Sequence, residues 1–135
     1  STMKINPNDY SALSNSPNRV RSLGYALAGW LYMLRHQKNT RIMSVASGLV
    51  VAAALWLEVD LDGCALLILS ITMVWMAEFL NAAVEAVVNL ASPEYHPMAK
   101  VGKDVAAAAV LLGAVASALI GLLVLGPPLL AKLSG

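Results

Sequence analysis

Three apolar blocks, at about 42–57, 63–90 and 105–125, alternate with short charged links and limit what this chain can fold into. A bilayer's hydrocarbon core is about 30 Å thick and holds no water, so a spanning segment must satisfy every backbone group internally. A helix of about 20 apolar residues does so. The three blocks therefore predict three membrane-spanning helices. The first block is short for the task, so it recruits flanking residues or stands nearly upright. With 59% hydrophobic and 13% charged residues, the chain is too apolar for an ordinary soluble domain of 135 residues. The expected fold is all-α and integral to the membrane. Small residues recur at Ala46, Ser47, Gly48 and Ala52–Ala54, and again at Ala106–Ala109, Gly113 and Ala114. They favour close helix packing or oligomerisation. A net charge of +1 and the lack of a basic patch interleaved with aromatics give no reason to expect a nucleic-acid partner. Cys64 is the single cysteine, unable to form an internal disulfide, and reads as a small packing residue.

The charged links orient the spans. Arg19, Arg21, Arg35, Lys38 and Arg41 precede the first span, Lys100 and Lys103 lie in the second link, and the first link carries only Glu58, Asp60 and Asp62. By the positive-inside rule the N-terminus and the second link are cytoplasmic, which leaves Lys132 as a single exception at the outer end. Residues 4–17 are polar, unlike a signal peptide, and residues 1–17 read as a flexible tail. At 18–36, Val20, Leu23, Leu27, Trp30, Leu31 and Leu34 recur at steps of three and four, with Ser16 or Asn18 available as an N-cap. This predicts an amphipathic helix lying on the cytoplasmic surface. Residues 18–135 then form a single membrane domain.

The second span carries Glu78, Asn81, Glu85, Asn89 and Ser92 on one helical face, with Phe79, Leu80, Val84 and Val87 elsewhere. A charged side chain near a bilayer centre costs at least about 2.5–3.5 kcal/mol on insertion scales, so two intramembrane carboxylates point to a bundle interior or a reaction site. The link after this span holds Pro93, Glu94, Tyr95, His96 and Pro97, then Lys100, Lys103 and Asp104 at the start of the next helix. Two acids, amides and lysines at the cytoplasmic face suit a divalent ion neutralising a nucleotide, with one carboxylate free to take a proton from a hydroxyl. The same residues also allow a helix-packing role, a proton relay or a small transport subunit.

The run Glu78-Phe-Leu-Asn81-Ala-Ala-Val-Glu85, followed by Glu94-Tyr95-His96, Lys103-Asp104 and an alanine-rich helix, resembles the prokaryotic membrane diacylglycerol kinase and undecaprenol kinase family. Gly24-Tyr25 and the Ala-Gly ahead of Trp30 are similar to that family's surface helix. No Walker-type loop or kinase catalytic-loop pattern is present in the sequence. The resemblance implies a lipid kinase of the bacterial inner (plasma) membrane. Such an enzyme takes ATP as co-substrate with Mg2+, phosphorylates the primary hydroxyl of a membrane lipid alcohol, and works as a homotrimer with sites shared between subunits. Carried over by position, it makes Glu78 the general base, Asn81 its orienting neighbour and Glu85 a magnesium ligand. Lys103 meets nucleotide phosphates, and Tyr25, Glu94, Tyr95, His96 and Asp104 line the nucleotide site with Glu85. Two positions depart from the family pattern: Gln37 stands where a second metal-binding Glu is expected, and Asn89 where an Asp is usual. The segments 96–108 and 120–125 look more like undecaprenol kinases than enterobacterial diacylglycerol kinases.

Overall fold

The computed structural model describes residues 19–135, so the expected tail at 1–17 and its two candidate caps lie outside the described residues. Four helices form: α1 (Arg19–His36), α2 (Lys38–Trp56), α3 (Leu61–Ala91) and α4 (Pro97–Ser134). The last three are long and apolar enough to cross a membrane. The chain divides into two compact units, one ending at Gln37 and the other running from Lys38 to Gly135.

In the first unit, α1 keeps the expected amphipathic spacing, with Val20, Leu23, Leu27 and Leu31 exposed and Met33 buried. Arg35 and His36 occupy its last turn, where positive charge complements the helix dipole. His36 Nδ1 lies 3.1 Å from the Tyr32 carbonyl and donates to it, and the two rings stack at 4.5 Å. The Gln37 amide closes the unit by donating to the Met33 carbonyl at 3.0 Å.

In the second unit, α2 begins at Lys38, so the short first block does recruit the polar residues before it. Its end is shaped by Glu58, whose φ of 53° is left-handed. The Val59 amide reaches back to the Ala54 carbonyl at 3.1 Å and the Glu58 amide to Leu55 at 3.3 Å. This is the paired pattern that satisfies the last carbonyls of a helix. Asp60 then caps α3 by accepting from the Gly63 amide at 2.8 Å, with Asp62 in the first turn at the positive end of the dipole.

α3 and α4 pack antiparallel in a register that the glycines report. A Cβ on Gly63 would lie 3.1 Å from Val124, one on Gly113 3.7 Å from Ala77, and one on Gly102 3.8 Å from Val88. The Ser117 hydroxyl donates to the Ser70 carbonyl at 2.9 Å between the first two of these contacts. α2 joins through Trp75, whose indole Nε1 donates to Ser47 Oγ at 3.0 Å. An indole N–H left unpaired in hydrocarbon would be costly, so this bond sets the pairing of α2 with α3. A cavity of about 140 Å³ remains between the three helices, walled by Met43, Leu67, Ile71, Val74 and Gly121 among others.

α4 does not stop near 125 at Gly126-Pro127-Pro128 as the sequence suggests, but continues to Ser134. The prolines remove two amide donors, which interrupts the hydrogen-bond ladder without ending the helix. The extension is held to α2: Lys132 Nζ donates to the Trp56 carbonyl at 3.1 Å and lies 4.5 Å from the centroid of the Trp56 ring. Lys132, an exception by charge, thus caps an α2 carbonyl that has no partner within its own helix.

Candidate active site

Burial falls along the polar stripe of α3. Glu78 is 5% exposed and is the one buried ionisable side chain among the described residues. Asn81 is half-buried, with Oδ1 sealed from solvent and without a hydrogen-bond partner. Glu85 and Asn89 are exposed. Two carboxylates two turns apart therefore sit in different media. Glu85 is about 10 Å nearer the C-terminal end of α3 by helical rise.

The register between α3 and α4 supplies what faces them. Gly102 meets Val88 and Gly113 meets Ala77, so counting between those contacts sets Glu85 level with Val105 and Asn81 level with Ala109. Lys103 and Asp104 are thus about one turn or less from Glu85 in height. Alanine at 106–109 leaves room beside Asn81, while Gly113 lets α4 approach the backbone of α3 next to Glu78.

Beyond Glu85 the α3–α4 link folds around a cleft of about 270 Å³, lined by Asn89, Ser92, Glu94, Tyr95, His96, Lys100 and Lys103 among others. The turn is built locally. The Ser92 amide donates to the Val88 carbonyl and its hydroxyl to the Glu94 carbonyl, both at 2.8 Å. His96 Nδ1 accepts from the Met98 amide at 3.1 Å, and Pro97 takes the first helical position, where its missing N–H is harmless. His96 is therefore the N-cap of α4, a structural role the sequence reading did not give it, and Nε2 is its remaining polar atom. Lys103 offsets Glu94 and Lys100 is paired with Asp104, so what the cleft offers an anion is two lysine donors beside the positive end of the α4 dipole.

Of the expected nucleotide residues, the cleft brings together Glu94, Tyr95, His96 and Lys103. Asp104 is outside its lining and forms an i,i+4 ion pair with Lys100. Tyr25 and Gln37 belong to the first unit. Asn89 and Ser92 join the lining without having been assigned a nucleotide role from sequence, as does Lys100, one of the two lysines read there as able to steer a phosphate. Thr40 was also missed; it is fully buried and Oγ1 has no partner. Its spacing of two turns from Ser47 was the available signal. No group of three or more His, Cys, Asp or Glu side chains suited to a metal occurs among the described residues. A magnesium ion that arrives on nucleotide phosphates needs only one or two protein carboxylates, and the exposed carboxylate of Glu85 fits that requirement.

A family model described as prokaryotic diacylglycerol kinase matches residues 24–125. A protein named diacylglycerol kinase from Synechocystis sp. is 41% identical over 116 residues, covering 85% of this chain and 66% of its own length. The diacylglycerol kinase of Escherichia coli K12 is 38% identical over 93 residues, 69% of this chain and 76% of that protein. An undecaprenol kinase from Bacillus subtilis is 34% identical over 116 residues, 85% of this chain and 94% of that protein. These identities do not follow the local lean toward undecaprenol kinases in segments 96–108 and 120–125.

Proposed function

The chain belongs to the prokaryotic diacylglycerol kinase family, and from that premise we propose that it transfers the terminal phosphoryl group of MgATP to the primary hydroxyl of a membrane lipid alcohol, diacylglycerol or undecaprenol. The observation that carries the reading is the contrast between Glu78, buried in a membrane-spanning helix, and Glu85, exposed two turns away toward a cleft lined by Lys100 and Lys103. In this reading Glu78 takes the proton of the lipid hydroxyl as oxygen attacks phosphorus. Burial keeps bulk water from competing for the phosphoryl group. Asn81 orients Glu78. Lys103 holds nucleotide phosphates, and Glu94, Tyr95, His96, Asp104 and, from the first unit, Tyr25 line the nucleotide.

Magnesium, when bound, offsets the charge of the phosphates and helps set the phosphoryl group in line. Glu85 would hold it, with Gln37 as a neutral oxygen donor. The active site and N-terminus are assigned to the cytoplasmic side of a bacterial inner membrane, as the charge of the links favours. A homotrimer with shared sites completes the proposal.

The test is purified protein in bilayers with MgATP and each lipid alcohol in turn, for the wild type and for Glu78→Gln. A positioned general base contributes about 10²–10⁴ in rate, so the variant should lose at least about a hundredfold while still binding nucleotide. A variant that keeps a tenth of the rate would remove the base assignment. Glu78-dependent proton flux across sealed vesicles with no ATP consumption would instead support the proton-relay or transport alternative.

A further inference from the structure

We infer that Thr40 is the hydrogen-bond donor that orients the hydroxyl of the lipid substrate toward Glu78, an inference that rests on the lipid-kinase reading. Thr40 has no exposed surface, and its Oγ1 is one of two buried side-chain polar atoms without a hydrogen-bond partner among the described residues. The other is Asn81 Oδ1. Buried polar groups are nearly always paired, so two orphans in one helical unit need a reason.

The α2–α3 pairing puts them at one level. Trp75 bonds Ser47 across the interface. Seven residues along a helix return to the same face within about 20° and advance about 10 Å. Two turns from Ser47 toward the start of α2 is Thr40, and two turns from Trp75 toward the end of α3 is Ala82. Thr40 therefore lies on the face of α2 turned to α3, about one turn on the cytoplasmic side of Glu78 and at the height of Asn81, which shares the α4-facing side of α3 with Val74 and Val88. The phosphoryl donor approaches from that same side.

The local backbone offers Thr40 no alternative. Ser44, Thr72 and Ser134 each donate to the carbonyl four residues back. Thr40 stands in the first turn of α2, where no carbonyl of the same helix lies four residues behind it. Its own carbonyl is occupied as the acceptor for Ser44. What remains is a hydroxyl with a free proton, on the side of α2 that the register turns to the helix carrying the base. An alcohol that enters between α2 and α3, where Thr40 is now sealed, accepts that proton on one lone pair, presents the second to phosphorus and turns its own hydrogen to Glu78. The amide of Asn81, which offers an acceptor or a donor according to its orientation, then holds the carboxylate.

The experiment compares wild type, Thr40→Val and Thr40→Ser as full-length protein in bilayers. Diacylglycerol and MgATP are varied separately, and thermal stability is measured in the same samples. Valine matches the shape of threonine and removes only the hydroxyl, so Thr40→Val should lower kcat/KM for the lipid by about ten- to a hundredfold, the effect of one hydrogen bond to a reacting group. Its KM for MgATP should stay within about twofold, and its Tm should hold or rise, because an unpartnered hydroxyl has been removed. Thr40→Ser should recover most of the activity. The inference is overturned if Thr40→Val keeps more than half of the lipid kcat/KM, if the loss lies in the KM for MgATP, or if both variants lose activity together with Tm. A wild-type protein that phosphorylates neither diacylglycerol nor undecaprenol would overturn the lipid-kinase reading itself.

Discussion

Replacing glycine with alanine at two positions of the α3–α4 interface should change stability in opposite directions. Alanine gains up to about 1 kcal/mol over glycine in a helix, from the backbone entropy glycine loses on folding. At Gly113 the added methyl would lie 3.7 Å from Ala77 Cβ and 3.8 Å from the Met73 carbonyl and Val74 Cα, which is ordinary contact. Gly113→Ala should therefore stabilise by up to about 1 kcal/mol. At Gly63 the same methyl would lie 2.5 Å from Val59 Cγ1, 2.9 Å from Asp60 Oδ1 and 3.1 Å from Val124 Cγ1. Val59 or Val124 must shift, and Asp60 must give up the bond that caps α3. Overpacking of about 1–3 kcal/mol and a lost cap of about 0.5–2 kcal/mol exceed the gain in propensity, leaving a net loss of about 0.5–4 kcal/mol. Thermal unfolding in one detergent, followed by circular dichroism, should show Tm rising by a few degrees for Gly113→Ala and falling for Gly63→Ala. Shifts of the same sign in both would refute the interface register, and with it the alignment of Glu85 with the start of α4.

The other predictions concern the metal. Glu85→Gln replaces an anionic oxygen with a neutral one and should raise the magnesium concentration for half-maximal activity by about tenfold along with a loss of rate; a fall in rate without a change in magnesium dependence would count against the ligand role. Gln37→Glu makes the reverse change and should lower that concentration, so superimposable magnesium titrations for it and the wild type would remove Gln37 from the metal site.

The helices were legible because the bilayer leaves few alternatives to them, and the stripe from Glu78 to Ser92 was legible from helical geometry alone. What escaped depended on contacts between elements. The prolines at 127 and 128 suggested an end to α4, but the hold on the far side comes from Lys132 meeting Trp56, residues far apart in sequence. The resemblance assigns His96 to the nucleotide site; its use as a helix cap follows from the turn geometry at Pro97. Asp104 shows the opposite limit. The i,i+4 spacing to Lys100 was visible, yet the ion pair it forms was not read from it, and that pair ties Asp104 to a residue of the cleft lining.

Exposed leucine and valine on α3 and α4 do not by themselves call for a partner chain, since lipid tails solvate them as well as protein does. The polar residues are more demanding. Glu85 is exposed on a helix whose surrounding positions are apolar, and a carboxylate cannot face hydrocarbon without several kcal/mol of cost. Glu85 must therefore meet headgroup water, a bound cation or another protein chain, and under the proposed function these three fit together, with a metal-bearing nucleotide entering from the cytoplasm and a neighbouring subunit covering the rest of the stripe. Glu78 needs no such cover, because its own chain buries it. On that proposal one subunit would hold the base in place while the nucleotide half of the site stays open, and this division is the physical ground for proposing shared sites in a homotrimer.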